Sequence, residues 1–216
     1  MNNISPNHTA QPRIKIELKA LIETEIKKHG SQCDLNHIDV SLVNNLYSLF
    51  EYSEFDGDIS KWNVSGVRNM SFMFLESKFN GDISGWDVSS VTSMSSMFER
   101  SGFSGDISKW DVSEVLRMDY MFCFSGFDGN LSAWDVSSVA NMRSIFAGSK
   151  FNDVSNWNRC SMIDDRDMFV NSAISSVLGI ESPSFEQVKS HFLSLKLEES
   201  LQEASPGQSQ ASKVRL

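Results

Sequence analysis

A unit of 24 residues recurs almost unchanged through the middle of this chain, and no other feature restricts its fold as tightly. Its cleanest copies are Phe55 to Ser65, Phe79 to Ser89, Phe103 to Ser113 and Phe127 to Ser137, with Trp62, Trp86, Trp110 and Trp134 in strict register. Each copy continues into Met-x-x-Met-Phe-x-x-Ser, as in Met70, Met73, Phe74 and Ser77. A fixed period of roughly 20 to 50 residues marks stacked repeats, in which one unit cannot bury its apolar side alone and only its neighbours complete the core.

The spacing within the unit predicts its local structure. Ile59-x-x-Trp62-x-Val64-x-x-Val67 follows the apolar spacing of leucine-rich repeats, and the alternation Trp62, Asn63, Val64 predicts a short strand. Met70, Met73, Phe74 and Ser77 fall at i, i+3, i+4 and i+7, which predicts one face of a short helix. Gly57 and Asp58 suit the turn into the next coil. The expected fold class is therefore an α/β repeat: a leucine-rich-repeat-like solenoid with short parallel strands, short helices and a helical cap at each end.

The flanks support such an organisation. Residues 1–13 are polar and read as a disordered tail. Over 14–54, Leu18, Leu21, Ile22 and Ile26 at helical spacing, basic Lys27 and Lys28, and Gly30 predict a capping helix, followed by a degenerate first repeat. Five repeats occupy 55–174. The fifth has lost one residue, so its tryptophan is Trp157, and it places Asp165 where the others have Met70, Met94, Met118 and Met142. A charge at a core position fits a terminal repeat. Over 175–204 a second cap is expected, with Ser184 as N-cap and Gln187 completing a capping box. Residues 205–216 read as a flexible tail.

Composition narrows the functional classes. A net charge of −9 and the absence of a basic stripe argue against nucleic acid. Cys33, Cys123 and Cys160 lack metal-ligand spacing and read as free thiols, so no metal and no disulfide framework is expected. No apolar run approaches a membrane span. His8, His29, His37 and His191 lie outside the repeats, and no catalytic motif or phosphate-binding glycine loop is present. The expectation is a protein without enzymatic activity or cofactor.

The phrase F-x-G-D-I-S-x-W-D-V-S-x-V-x-x-M-x-x-M-F-x-x-S resembles the repeat of BspA-like leucine-rich-repeat surface proteins, also called the Mycoplasma lipoprotein-associated repeat. The likeness covers about residues 33 to 174, including the entry segment Cys33 to Ser41. It implies a bacterial surface or secreted protein engaged in adhesion or host-cell contact through a protein partner. Met1 to Pro12 lacks a Sec signal, so export by a non-Sec route is the expected localisation and the cytoplasm the alternative.

Positions that stay constant between copies serve the architecture, and those that vary are candidates for recognition. The outward column of the expected strand, Asn63, Asp87, Asp111 and Asp135, together with the variable Lys61 and Lys109, forms one candidate binding face. Its carboxylates fit three roles: bonds to neighbouring serines and N–H groups, an acidic stripe for a basic partner, or a calcium ladder. Phe72, Leu75, Leu116, Tyr120 and Phe124, on the outward side of the expected helix, form a second, apolar candidate. The alternative to adhesion is an intracellular inhibitor of immunity type that masks a basic target with its acidic face.

Overall fold

A computed structural model describes residues 11–151, 153–158 and 163–203. The tail expected over 1–13 lies outside the described residues as far as residue 10, as do Cys160 and all of 205–216. Three helices form: α1 (Lys15–His29), α2 (Ala173–Leu178) and α3 (Phe185–Glu203). Between α1 and α2 the described chain runs as stacked coils linked in parallel at a register of 24, through the single bridges Asn45 to Asn69, Asn69 to Ser93, Ser93 to Arg117 and Arg117 to Asn141.

The coils contain neither of the elements expected within them. No strand forms among the described residues, only isolated bridges, and Met70 to Ser77 is not helical. This overturns the α/β leucine-rich-repeat-like solenoid. Each coil is instead built of tight turns in which the fourth N–H bonds to the first carbonyl: Ile59–Trp62 (3.1 Å), Val64–Val67 (2.8 Å), Met70–Met73 (3.2 Å) and Phe74–Ser77 (3.2 Å). Both ends of these four turns are buried, from Ile59 and Trp62 to Phe74 and Ser77. Two turns placed back to back therefore put inward-facing residues at i, i+3, i+4 and i+7, the same spacing as a helix face. Likewise Trp62-x-Val64 is the end of one turn and the start of the next, which mimics the alternation of a strand.

A count of amide hydrogens shows why neither a helix nor a sheet prevails. The N–H groups of Met70, Phe72, Phe74 and Glu76 donate to the carbonyls of Ser93, Ser95, Met97 and Glu99 in the next coil, at 2.9 to 3.0 Å. The intervening N–H groups of Met73, Leu75 and Ser77 close turns within the coil, and that of Ser71 donates to the Asn69 side chain. Every amide from 70 to 77 is thus satisfied, half between coils and half within one, so the backbone gains nothing by rearranging. Phe72 and Glu76 have φ of 61° and 51°, and a positive φ at the third residue of a hydrogen-bonded turn is the type II pattern.

Aromatic columns fill the stack. Phe74, Phe98, Phe122, Phe146 and Phe169 follow one another at 5.6 to 5.8 Å between ring centroids. The rings of Phe79, Phe103, Phe127 and Phe151 fit against this column at 4.2 to 4.4 Å. Each tryptophan donates its indole N–H to a carbonyl of the preceding coil: Trp62 to Leu35, Trp86 to Ile59, Trp110 to Ile83, Trp134 to Ile107 and Trp157 to Leu131, at 2.9 to 3.1 Å. Gly57 permits close approach between coils, since a Cβ there would collide with the Cys33 carbonyl.

Helices close both ends of the core. α1 buries Leu18 and Ile22 and stops at Gly30, whose N–H donates to the Ile26 carbonyl. At the other end Ser184 and Gln187 exchange the two bonds of a capping box, at 2.9 and 3.3 Å, and α3 buries Phe185 and Val188. Lys189 of α3 donates to the Trp157 carbonyl at 2.6 Å, tying this helix to the shortened last coil. Cys33 and Cys123 are free thiols, and burial pushes Cys123 up to about 11.

Truncating Trp110 should separate packing from hydrogen bonding. Trp110→Ala should lower unfolding stability in denaturant by about 3 to 5 kcal/mol. Trp110→Phe should cost far less, about 1 kcal/mol for the lost bond, because the Ile83 carbonyl still accepts from the Trp86 backbone N–H. Equal losses for the two variants would contradict this assignment.

Candidate interaction face

The turns need an acceptor at their entry, and the first full copy supplies one before three of them. Asp58, Asn63 and Asn69 each stand one residue ahead of a turn, and each Oδ1 accepts the N–H two residues on, from Ser60, Ser65 and Ser71. These are Asx turns, in which a short polar side chain replaces a backbone acceptor. The column continues through Asp87, Asp111 and Asp135, whose Oδ1 atoms accept from the N–H of Ser89, Ser113 and Ser137 at 3.0 to 3.1 Å. The hydroxyls of Ser89 and Ser113 donate to the same oxygens at 2.6 Å. These bonds hold the carboxyls of Asp87 and Asp135 below the usual carboxylate range, the serine hydroxyl contributing most and the N–H next. At Asp58, Asp82 and Asp106 the backbone N–H leads in lowering the carboxyl, followed by the Asn36 side chain at Asp58 and by the serine hydroxyl at the other two.

The first candidate face is therefore exposed but not as a strand column. Lys61 and Lys109 project from the turns Ile59–Trp62 and Ile107–Trp110, while Asn63, Asp87, Asp111 and Asp135 link consecutive turns. One oxygen of each linking side chain is committed to the backbone. Among the described residues, no group of three or more His, Cys, Asp or Glu side chains is arranged to hold a metal ion.

The second candidate set divides. Leu75 is buried at 8% exposure, so it is a packing residue and not part of an exposed patch. Its N–H closes the turn from Phe72, which points its side chain inward. Leu116 and Phe124 are 51% and 55% exposed. Phe72 and Tyr120 are half-buried, with Phe72 packed on Tyr47 at 5.3 Å. None lies on a helix: Phe72, Tyr120 and Phe124 occupy the left-handed third position of type II turns, at φ of 61°, 61° and 53°. Glycine or asparagine is the ordinary occupant there, and bulky side chains are disfavoured. Gly148 and Asn171 meet that preference, whereas Tyr52, Phe72, Tyr120 and Phe124 do not.

The variable positions form a broader face than either candidate set. Consecutive copies disagree chiefly along the paired turns, residues 68–76 and their equivalents at 44–52, 92–100, 116–124, 140–148 and 163–171. These segments hold all three tyrosines of the chain, Tyr47, Tyr52 and Tyr120. They also hold five of its eight arginines, Arg68, Arg100, Arg117, Arg143 and Arg166, and no lysine. Arg100 reaches Glu76 one coil away at 3.1 Å and lies over the Phe124 ring at 5.7 Å. A Cβ on Gly148 would strike that ring, so Phe124 is held between a guanidinium and a bare backbone. Asp119 accepts from Ser95 at 2.7 Å and pairs with Arg117 at 3.3 Å, and Arg166 pairs with Asp164 at 2.8 Å. The Arg166 bond leads in holding the Asp164 carboxyl down at about 2. Enrichment in tyrosine and arginine with depletion of lysine is the compositional mark of a protein interface. A column-by-column comparison of the copies carries this signal; a reading by helical phase scatters it.

The family described as "Mycoplasma protein of unknown function, DUF285" matches residues 22–125 and again 101–192, so the chain belongs to that family. No curated protein and no solved structure matches it.

Two substitutions test the turn chemistry. Asp111→Ala should lower stability by about 1 kcal/mol, whereas Asp111→Asn should be nearly neutral, because Asn63 already serves the same turn in its own coil. An asparagine variant as unstable as the alanine one would contradict the Asx role. Tyr52→Asn should raise the free energy of unfolding by about 1 kcal/mol, because Tyr52 is 63% exposed at a φ of 56°. A loss of stability would show that this tyrosine is held by packing.

Proposed function

We propose that this member of the family is a non-enzymatic protein-interaction module that binds through the paired-turn face. One observation carries the reading. The face where the copies diverge gathers every tyrosine and most arginines of the chain, and keeps bulky aromatics at backbone positions that disfavour them. Conformational cost retained at several equivalent positions argues for a use outside folding.

The resemblance to BspA-like surface proteins favours adhesion or host-cell contact, at the bacterial surface or after secretion, as the setting. Among the described residues no helix is long and apolar enough to cross a membrane. The intracellular inhibitor with an acidic binding face has less support, since one oxygen of each aspartate in that column is already engaged in a turn.

A photo-crosslinking amino acid placed at Tyr120 should join the native partner in cells of the producing organism. The same residue placed at Lys109 should not. Crosslinking from Lys109 alone would shift the site to the acidic side and contradict the proposal.

A further inference from the structure

We infer, resting on the face just proposed, that its partner is a net-basic polypeptide that seats bulky apolar side chains against Leu116 and Phe124. Charge is sorted around each coil. Residues 31–43, 53–67, 77–91, 101–115, 125–139 and 149–162, which alternate with the paired-turn segments in the sequence, carry thirteen carboxylates against four lysines and one arginine. That surplus of eight negative charges makes up nearly all of the net charge of −9 of the whole chain. The paired-turn face is nearly balanced, with five arginines against seven carboxylates, several of them in ion pairs with one another.

The two regions are suited to different tasks. Carboxylates bound to their own backbone grip a ligand poorly, yet they keep their charge and project a negative field. Coils stacked about 5 Å apart set neighbouring carboxylates of one column well within the Debye length of about 8 Å at physiological salt, so their charges add into one continuous field. Such a field gathers cationic partners and turns away acidic ones, acting on the association rate more than on the contacts finally made. The final contacts fall to the exposed apolar residues of the third full repeat. Phe124 is fixed there between Arg100 and Gly148, so little side-chain freedom remains to be lost on binding.

Short synthetic peptides test this, one alternating lysine with leucine, one lysine with serine and one serine with leucine. Their binding rates are measured on the full chain at low and physiological salt. The lysine–leucine peptide should bind at least about tenfold more tightly than either of the others, with an association rate that falls steeply with salt. The triple variant Asp87→Asn, Asp111→Asn, Asp135→Asn keeps its turns and should slow association while sparing dissociation. The double variant Leu116→Ser, Phe124→Ser should speed dissociation by about tenfold and leave the salt dependence intact. Equal binding of the serine–leucine peptide would overturn the basic partner and leave the face standing. Lysine–leucine binding that the double variant does not weaken would overturn both. Failure of every peptide to bind would overturn the basic partner, the face itself then resting on the crosslinking result.

Discussion

The bond from each tryptophan indole to a carbonyl of the coil before it is the contact on which the rest of the stack depends. The acceptor is doubly used: the Ile59 carbonyl closes its own turn with the Trp62 N–H and also receives the Trp86 indole of the next coil. One oxygen thus fixes the shape of a coil and the position of its neighbour together. The tryptophan must be buried to reach it, and burial commits a large aromatic side chain to the core. The phenylalanine columns then pack at a distance set by the coils, and the alternating amides of Met70 to Ser77 find their acceptors at the same spacing.

The stack and its caps are legible in the sequence, while the interior of the coil is not. The 24-residue register reappears in the bridges, and α1 ends at Gly30 as the basic last turn and glycine imply. The capping box of Ser184 and Gln187 is equally readable. Within the coil, apolar spacing misleads because it reports only which residues face inward. Met70, Met73, Phe74 and Ser77 face inward in two consecutive turns as they would in a helix. What distinguishes the two is polar: an Asx-x-Ser triplet, as in Asp58-Ile59-Ser60 and Asn63-Val64-Ser65, stands at two turn entries of every full coil, and Asn69-Met70-Ser71 adds a third in the first. An Asx acceptor before each apolar residue favours a turn over a helix or a strand. Leu75 is misjudged for the same reason, since a helical phase turns outward a residue that the turn points in.

Building and display are separated along one repeat. Ile59, Trp62, Val64, Val67, Met70, Met73 and Phe74, with their equivalents, make the core and barely vary. The Asx and serine columns make the turns and leave an acidic surface. The remaining positions change from coil to coil, and there the arginines and tyrosines collect. Because backbone bonds and inward side chains hold the coil, the outward positions of the paired turns are free to differ without loss of the fold.

Hydrogen exchange of the five tryptophan indole N–H groups, followed by NMR, tests the account most directly. If each indole is bonded to the coil before it, all five should exchange as slowly as the core amides and only through global unfolding. Exchange of Trp86, Trp110 or Trp134 near the rate of free indole would contradict the account.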